Sequence, residues 1–178
     1  MLVLLSIQQK YILEVLRKLG CVNRRQLDTL AREKFRHSGL EISDARLDAM
    51  LHQLRTGTND VRIDSEFVWM TGAQPDAFRL EAVDVMLELA EGKPENFTTQ
   101  VERPGILRFS WGADLRLFTV AELSMPIRPA LEALAHQKRV IWLTESGVPP
   151  EGLTLPPKHF FAARMEDGSH RFYGSNGP

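Results

Sequence analysis

The sequence predicts an α+β protein: an N-terminal helical part closed by a β-hairpin, then a small α/β part built on a mainly antiparallel sheet. Three observations predict it. Three segments within residues 7–55 repeat apolar side chains at helical spacing. Two short β-prone pieces then flank a polar turn, and from residue 76 onward strand-like runs alternate with two further helices.

The first helix is expected from Ile7 to Leu19, where Ile12, Val15, Leu16 and Leu19 form one apolar stripe. Gly20 stands where a helix ends in left-handed backbone. Asn23 caps a second helix, and Gln26 three residues on completes a capping box. Leu27, Leu30, Ala31 and Phe35 face inward there, and Ser38-Gly39 ends the segment. Ser43 caps a third helix reaching about Arg55, with Leu47, Met50, Leu51 and Leu54 as its buried stripe. Thr56 to Asp60 reads as a turn. Helices this short are marginal alone in water, so the three stripes must share one core.

Val61-Arg62-Ile63 and Phe67-Val68-Trp69-Met70 are β-prone and flank Asp64-Ser65-Glu66, a spacing that suits a hairpin with a three-residue loop. Helix, helix, helix, hairpin is the order of a winged helix-turn-helix. Gly72 to Pro75 forms a joint, giving expected domains of residues 1–75 and 76–178.

A fourth helix is expected from Asp76 to Ala90, closed by Gly92 and Pro94. Phe78, Ala82, Val85, Met86 and Leu89 lie on one side of it, and Leu80, Val83 and Leu87 on another. A helix apolar on several sides is covered on several sides, either between the two parts of the chain or in a dimer contact. Ile106–Trp111 and Leu115–Leu123 read as a hairpin turning at Gly112-Ala113-Asp114. A helix from Pro126 to His136, a buried strand from Arg139 to Thr144, a proline-rich loop from Gly147 to Pro157, and strands His159–Met165 and Arg171–Tyr173 complete the reading.

Composition sets the class. The chain has 178 residues, 43% hydrophobic and 25% charged, an ordinary soluble balance with material for a core. The apolar start, Met1 to Leu5, is cut by Ser6 and Gln8-Gln9-Lys10 far short of a membrane span, and it lacks the marks of a signal peptide. A single cysteine, Cys21, makes no internal disulfide, so a reducing, cytoplasmic setting is expected. Net charge is −1, with 11 Lys and Arg against 9 Asp and Glu in residues 1–75 and 11 against 14 in residues 76–178. That balance argues against tight non-specific binding to nucleic acid.

In a winged helix the third helix enters the major groove of DNA. Opposite its buried stripe lie Ala45, Ala49, His52 and Thr56, flanked by Arg46 and Gln53. The two alanines allow close approach to base edges, while Arg46 and Gln53 have side chains suited to guanine and adenine. Arg24 and Arg25 at the start of the second helix are placed for phosphates, helped by the helix N-terminus. Arg62 on the hairpin could reach a neighbouring phosphate or the minor groove. The candidate DNA-binding set is therefore Arg24, Arg25, Ala45, Arg46, Ala49, His52, Gln53 and Arg62. Asp44 and Asp48 border the same face and would repel phosphates. They keep open a second reading, in which both halves are docking surfaces for another protein.

The stretch from Tyr11 to Leu27, a helix, a short break and a polar second helix with Leu27, resembles many winged-helix proteins. With the following α/β half, the whole is similar to the replication-relaxation type carried by plasmids and other bacterial mobile elements. The resemblance implies a winged helix before a degenerate restriction-endonuclease-like domain, and an accessory or regulatory role on double-stranded DNA, as a possible homodimer.

A working nuclease of that fold needs an Asp followed by Glu-x-Lys on the next strand, to hold a metal and position water. Asp114 and Glu122 come nearest, but the position two after Glu122 is Ser124. His37, His52, His136, His159 and His170 show no zinc-ligand spacing, and no phosphate-binding or nucleophile-elbow motif occurs. The expectation is a non-enzymatic protein with no catalytic residues, no metal and no cofactor.

Overall fold

The computed structural model describes residues 4–175, so Met1, Leu2 and Val3 of the apolar start lie outside it. The architecture is mixed α+β, with five helices and two sheets among the described residues. The chain divides into two compact units, Met1–Leu80 and Glu81–Pro178.

In the first unit, α1 (Ile7–Leu19) opens with a capping box: Ser6 Oγ accepts from Gln9 N at 3.1 Å, and Gln9 Oε1 accepts from Ser6 N at 2.9 Å. Gly20 ends α1 at φ 78, in left-handed backbone that suits glycine. Then follow β1 (Cys21–Asn23), α2 (Arg24–Phe35), α3 (Asp44–Thr58), β2 (Val61–Ile63) and β3 (Phe67–Met70). Asn23 and Gln26 form the expected reciprocal cap on α2, and Ser43 caps α3. The stripes Ile12/Leu16/Leu19, Leu27/Leu30 and Leu51/Leu54 are buried together with Val22, Val61 and Val68. Each such side chain removed from water contributes about 1.5–3 kcal/mol.

Two expectations are corrected here. Strand β1 pairs antiparallel with β3, Cys21 opposite Trp69, and makes the sheet order β1-β3-β2. Three residues between two helices are too few to display a strand period. Thr56 to Thr58 continue α3 instead of turning. Their helical backbone is supported by Thr56 and Thr58 hydroxyls donating to the carbonyls of His52 and Leu54 at 3.0 and 2.7 Å. Asn59, at φ 57, ends the helix.

The second unit takes most of α4 (Ala77–Leu89), then β4 (Glu95–Thr98), β5 (Gly105–Trp111), β6 (Arg116–Glu122), α5 (Ile127–Ala133), β7 (Val140–Leu143), β8 (His159–Arg164) and β9 (His170–Tyr173). The six strands lie side by side in chain order, β4 to β9. The pairs β6–β7 and β7–β8 are parallel and the other three antiparallel. All four residues of β7 are buried, as a central parallel strand requires. On one face Ala121, Leu123, Val140, Trp142, Phe161 and Ala163 pack with Ala130 and Leu134 and with Leu155 of the long loop. Strand β4 was not expected; its register shifts between Glu95 and Thr98, and Asn96 at φ 49 breaks the alternation. Helix α5 stops at Ala133, short of the expected His136.

A polar chain crosses that face, buried at Trp142, His159 and Thr119 and half-buried at Gln137. Trp142 Nε1 donates to His159 Nδ1 at 3.1 Å, His159 Nε2 lies 2.9 Å from the Gln137 carbonyl, and Thr119 Oγ1 donates to Gln137 Oε1 at 3.2 Å. The tryptophan can only donate, so His159 carries its proton on Nε2 and is neutral. Burial holds its pKa below the ordinary histidine value, with the Gln137 hydrogen bond opposing. Among the described residues no helix is long and apolar enough to cross a membrane.

Candidate nucleic-acid interface

Helix α3 buries Leu47, Met50, Leu51 and Leu54. At about 100° per residue, Ala45, Ala49, His52 and Thr56 then stand opposite, and all four are exposed. Arg46 and Gln53 lie on one flank of this outer face; Asp44, Asp48 and Arg55 lie on the other.

The flanks are not equivalent. Asp44 and Asp48 point toward α2, where each finds an arginine. Asp48 Oδ1 lies 2.5 Å from Arg24 Nη1, and Asp44 pairs with Arg32, whose Nε also binds Asp28 at 2.6 Å. The expected repulsion of phosphates by these acids is therefore offset, but Arg24 and Arg32 are engaged in offsetting it. On the other flank Gln53 Oε1 accepts from Gln9 Nε2 of α1 at 2.8 Å. Gln53 thus ties α3 to α1 and is not an unattached reader of bases.

Arg25 and Arg46 are exposed. The start of α2 is less open than its sequence suggests, because Arg24 N donates to Glu66 O at 2.9 Å and Gln26 N to Asn23 Oδ1 at 2.8 Å. Arg62 is exposed on β2 opposite Trp69. The hairpin tip beyond it is anionic. Backbone N–H groups of Phe67 and Glu66 hold the Asp64 carboxyl below the usual carboxylate range.

A groove of about 300 Å³ runs beside the outer face, lined by Arg24, Asp48, Leu51, His52, Arg55 and Ile63. Arg55 Nη2 lies 3.2 Å from His52 Nδ1. Sequence reasoning missed Arg55 because it placed the helix end there. Its position one turn beyond His52 and Leu51 is the signal that would have found it.

No family model, curated protein or solved structure matches the chain. What this surface can do rests on its geometry: small side chains in the middle of an exposed helix, arginines beside them, and acids turned away into ion pairs.

The second unit holds the residues weighed for nuclease chemistry at opposite ends of β6. Asp114 precedes the strand and pairs with Arg116 at 3.2 Å, while Glu122 ends it and pairs with Arg103 at 3.0 Å. A seven-residue strand separates them by roughly 20 Å, too far to share one ion. Among the described residues no group of three or more His, Cys, Asp or Glu could hold a metal.

The same unit contains a charge cluster that the sequence did not suggest. Buried Glu81 of α4 receives the guanidinium fork of Arg164, with Nε at 3.0 Å. His170 Nε2 lies 3.2 Å from the same carboxylate, and His170 Nδ1 lies 2.9 Å from Glu88. Burial alone would raise the Glu81 pKa, but the hydrogen bonds from His170 and Arg164 more than reverse this and hold it low.

Proposed function

We propose that the first unit is a winged helix that binds double-stranded DNA with α3 in the major groove, and that the protein is a non-enzymatic DNA-binding accessory or regulatory factor. The observation that carries this reading is the exposed Ala45/Ala49/His52 face of α3, where small side chains let a helix approach base edges closely. The order α1-β1-α2-α3-β2-β3 and the antiparallel sheet β1-β3-β2 also support it, being the arrangement of a winged helix. Arg25, Arg46, Arg55 and Arg62 supply phosphate contacts around that face. The resemblance to replication-relaxation proteins extends the proposal to replication or transcription control on a mobile element, in the cytoplasm.

Fluorescence anisotropy with a labelled duplex at two salt concentrations tests it. Affinity should fall with salt at a slope of about 0.9 per phosphate contact. No binding at low salt ends the proposal.

A second reading, docking of another protein on the same face, is favoured by one observation: the Arg24–Asp48 and Arg32–Asp44 pairs and the acidic Asp64–Glu66 tip leave little net positive charge. Retention of a protein partner by a wild type that binds no duplex, lost in Ala49→Glu, would support it.

A further inference from the structure

The groove beside α3 has an unusual electrostatic composition for a DNA-facing surface. Of its lining groups Arg24 and Arg55 can attract a phosphate, His52 can hydrogen-bond one, and Leu51 and Ile63 form an apolar floor. The remaining residue, Asp48, is an acid, and it occupies Arg24 at 2.5 Å. Arg24 still has a buried Nε with no hydrogen-bond partner among the described residues. A guanidinium that gives only part of its donor fork to a single exposed carboxylate is under-used, since the fork is built to meet two oxygens at once.

We propose that Asp48 is an internal stand-in for a DNA phosphate: it holds Arg24 in the groove of the unbound protein, and a backbone phosphate displaces it when duplex DNA docks on α3. The proposal rests on the DNA-binding reading above and adds to it a built-in brake. Exchange of one anion for another at Arg24 conserves charge, with no covalent step. The carboxylate moves to solvent, which it can do because Asp48 is largely exposed. A phosphodiester offers Arg24 two oxygens in one plane and is fixed in the groove by Arg55 and His52 on the other side. In this proposal the ion pair lowers affinity for any nucleic acid that does not seat a phosphate at Arg24, while a correctly docked duplex still meets the arginine.

The test is a double-mutant cycle on the full chain, read by anisotropy with a duplex two helical turns long. Asp48→Asn should tighten binding by about two- to fivefold, the size of an exposed ion pair, and Arg24→Met should weaken it. The gain from Asp48→Asn should vanish in the Arg24→Met background. An equal gain in both backgrounds would mean that Asp48 acts by general repulsion, and the proposal fails while the DNA-binding reading stands. Loss of duplex binding by every protein, wild type included, overturns both. Competition by polyglutamate as effective as by duplex at equal charge would assign the groove to acidic protein and overturn the phosphate assignment.

Discussion

His170 Nδ1 lies 2.9 Å from a carboxylate oxygen of Glu88, and this contact decides the charge of the ring. Its other nitrogen faces Glu81 at 3.2 Å. A neutral imidazole has one N–H, so one contact would set a lone pair against an anion. The imidazolium donates to both. Burial pulls the His170 pKa down, but the hydrogen bonds to Glu81 and Glu88 more than reverse this and raise it above 6.5. The unfolded chain thus holds that proton less tightly, and the cluster's stabilisation is complete below pH 6.5 and is lost as pH climbs through the raised folded value. Glu81, held low, acts oppositely: its contribution is present above 4.5 and lost as pH falls through its folded value. Urea midpoints of wild type and His170→Gln should differ most between those two limits and converge in alkali. A gap that stayed constant into alkali would mean the ring is neutral when folded.

Gly147 supports the same cluster from behind. It sits at φ 70, its carbonyl accepts from Arg164 N at 2.9 Å, and an added Cβ would stand 2.7 Å from Arg164 Cβ. Gly147→Ala should cost about 2–3 kcal/mol, combining left-handed strain with overpacking. Gly168 shares the strained backbone at φ 83 but has nothing within 4 Å. Gly168→Ala should therefore cost only the strain, about 1–2 kcal/mol. Equal losses of thermal stability in the two variants would remove the steric role assigned to Gly147.

The Trp142–His159 hydrogen bond gives a prediction with the opposite pH sign. Replacing His159 by Phe leaves the buried Trp142 Nε1 without its partner, while the half-buried Gln137 carbonyl can turn to water, at a cost of about 1–3 kcal/mol. Because His159 has a lowered pKa, the unfolded chain takes up a proton that the folded chain refuses once pH drops below 6.5. Stability should decline with acid in wild type, and this share of the decline should be missing in His159→Phe. Thermal melts followed by near-ultraviolet circular dichroism at several pH values would read both effects.

Ala49→Glu separates binding from folding. The site is exposed on α3, so stability should move by no more than about 0.5 kcal/mol. Duplex affinity should fall about tenfold or more, since a carboxylate would meet base edges and phosphates at the closest approach. An unchanged anisotropy titration would take α3 out of the groove.

The first unit was largely legible because its order is local. Asn23 with Gln26, and the stripes ending at Leu19, Phe35 and Leu54, encode their helices within one or two turns of chain. What stayed hidden depends on partners far away or on too few residues. Cys21 and Val22 become a strand only because β3 lies beside them. Glu81 looks out of place in an apolar helix until Arg164 and His170, 83 and 89 residues later, arrive against it. Within the candidate interface the exposed face of α3 followed from periodicity. The engagement of Arg24 by Asp48 and of Gln53 by Gln9 did not, because nothing local sets which arginine meets which acid.

Cys21 turns strand β1 into a reporter. It is 1% exposed against β3, and burial, reinforced by Asp64 and opposed by Arg79, lifts its thiol to about 11. A thiol in that position meets an alkylating reagent only when β1 peels from its neighbour and the sulfur sheds its proton. The second unit carries no cysteine. The rate of its modification therefore times the breathing of one half of the molecule with no signal from the other, a stopwatch already written into the chain.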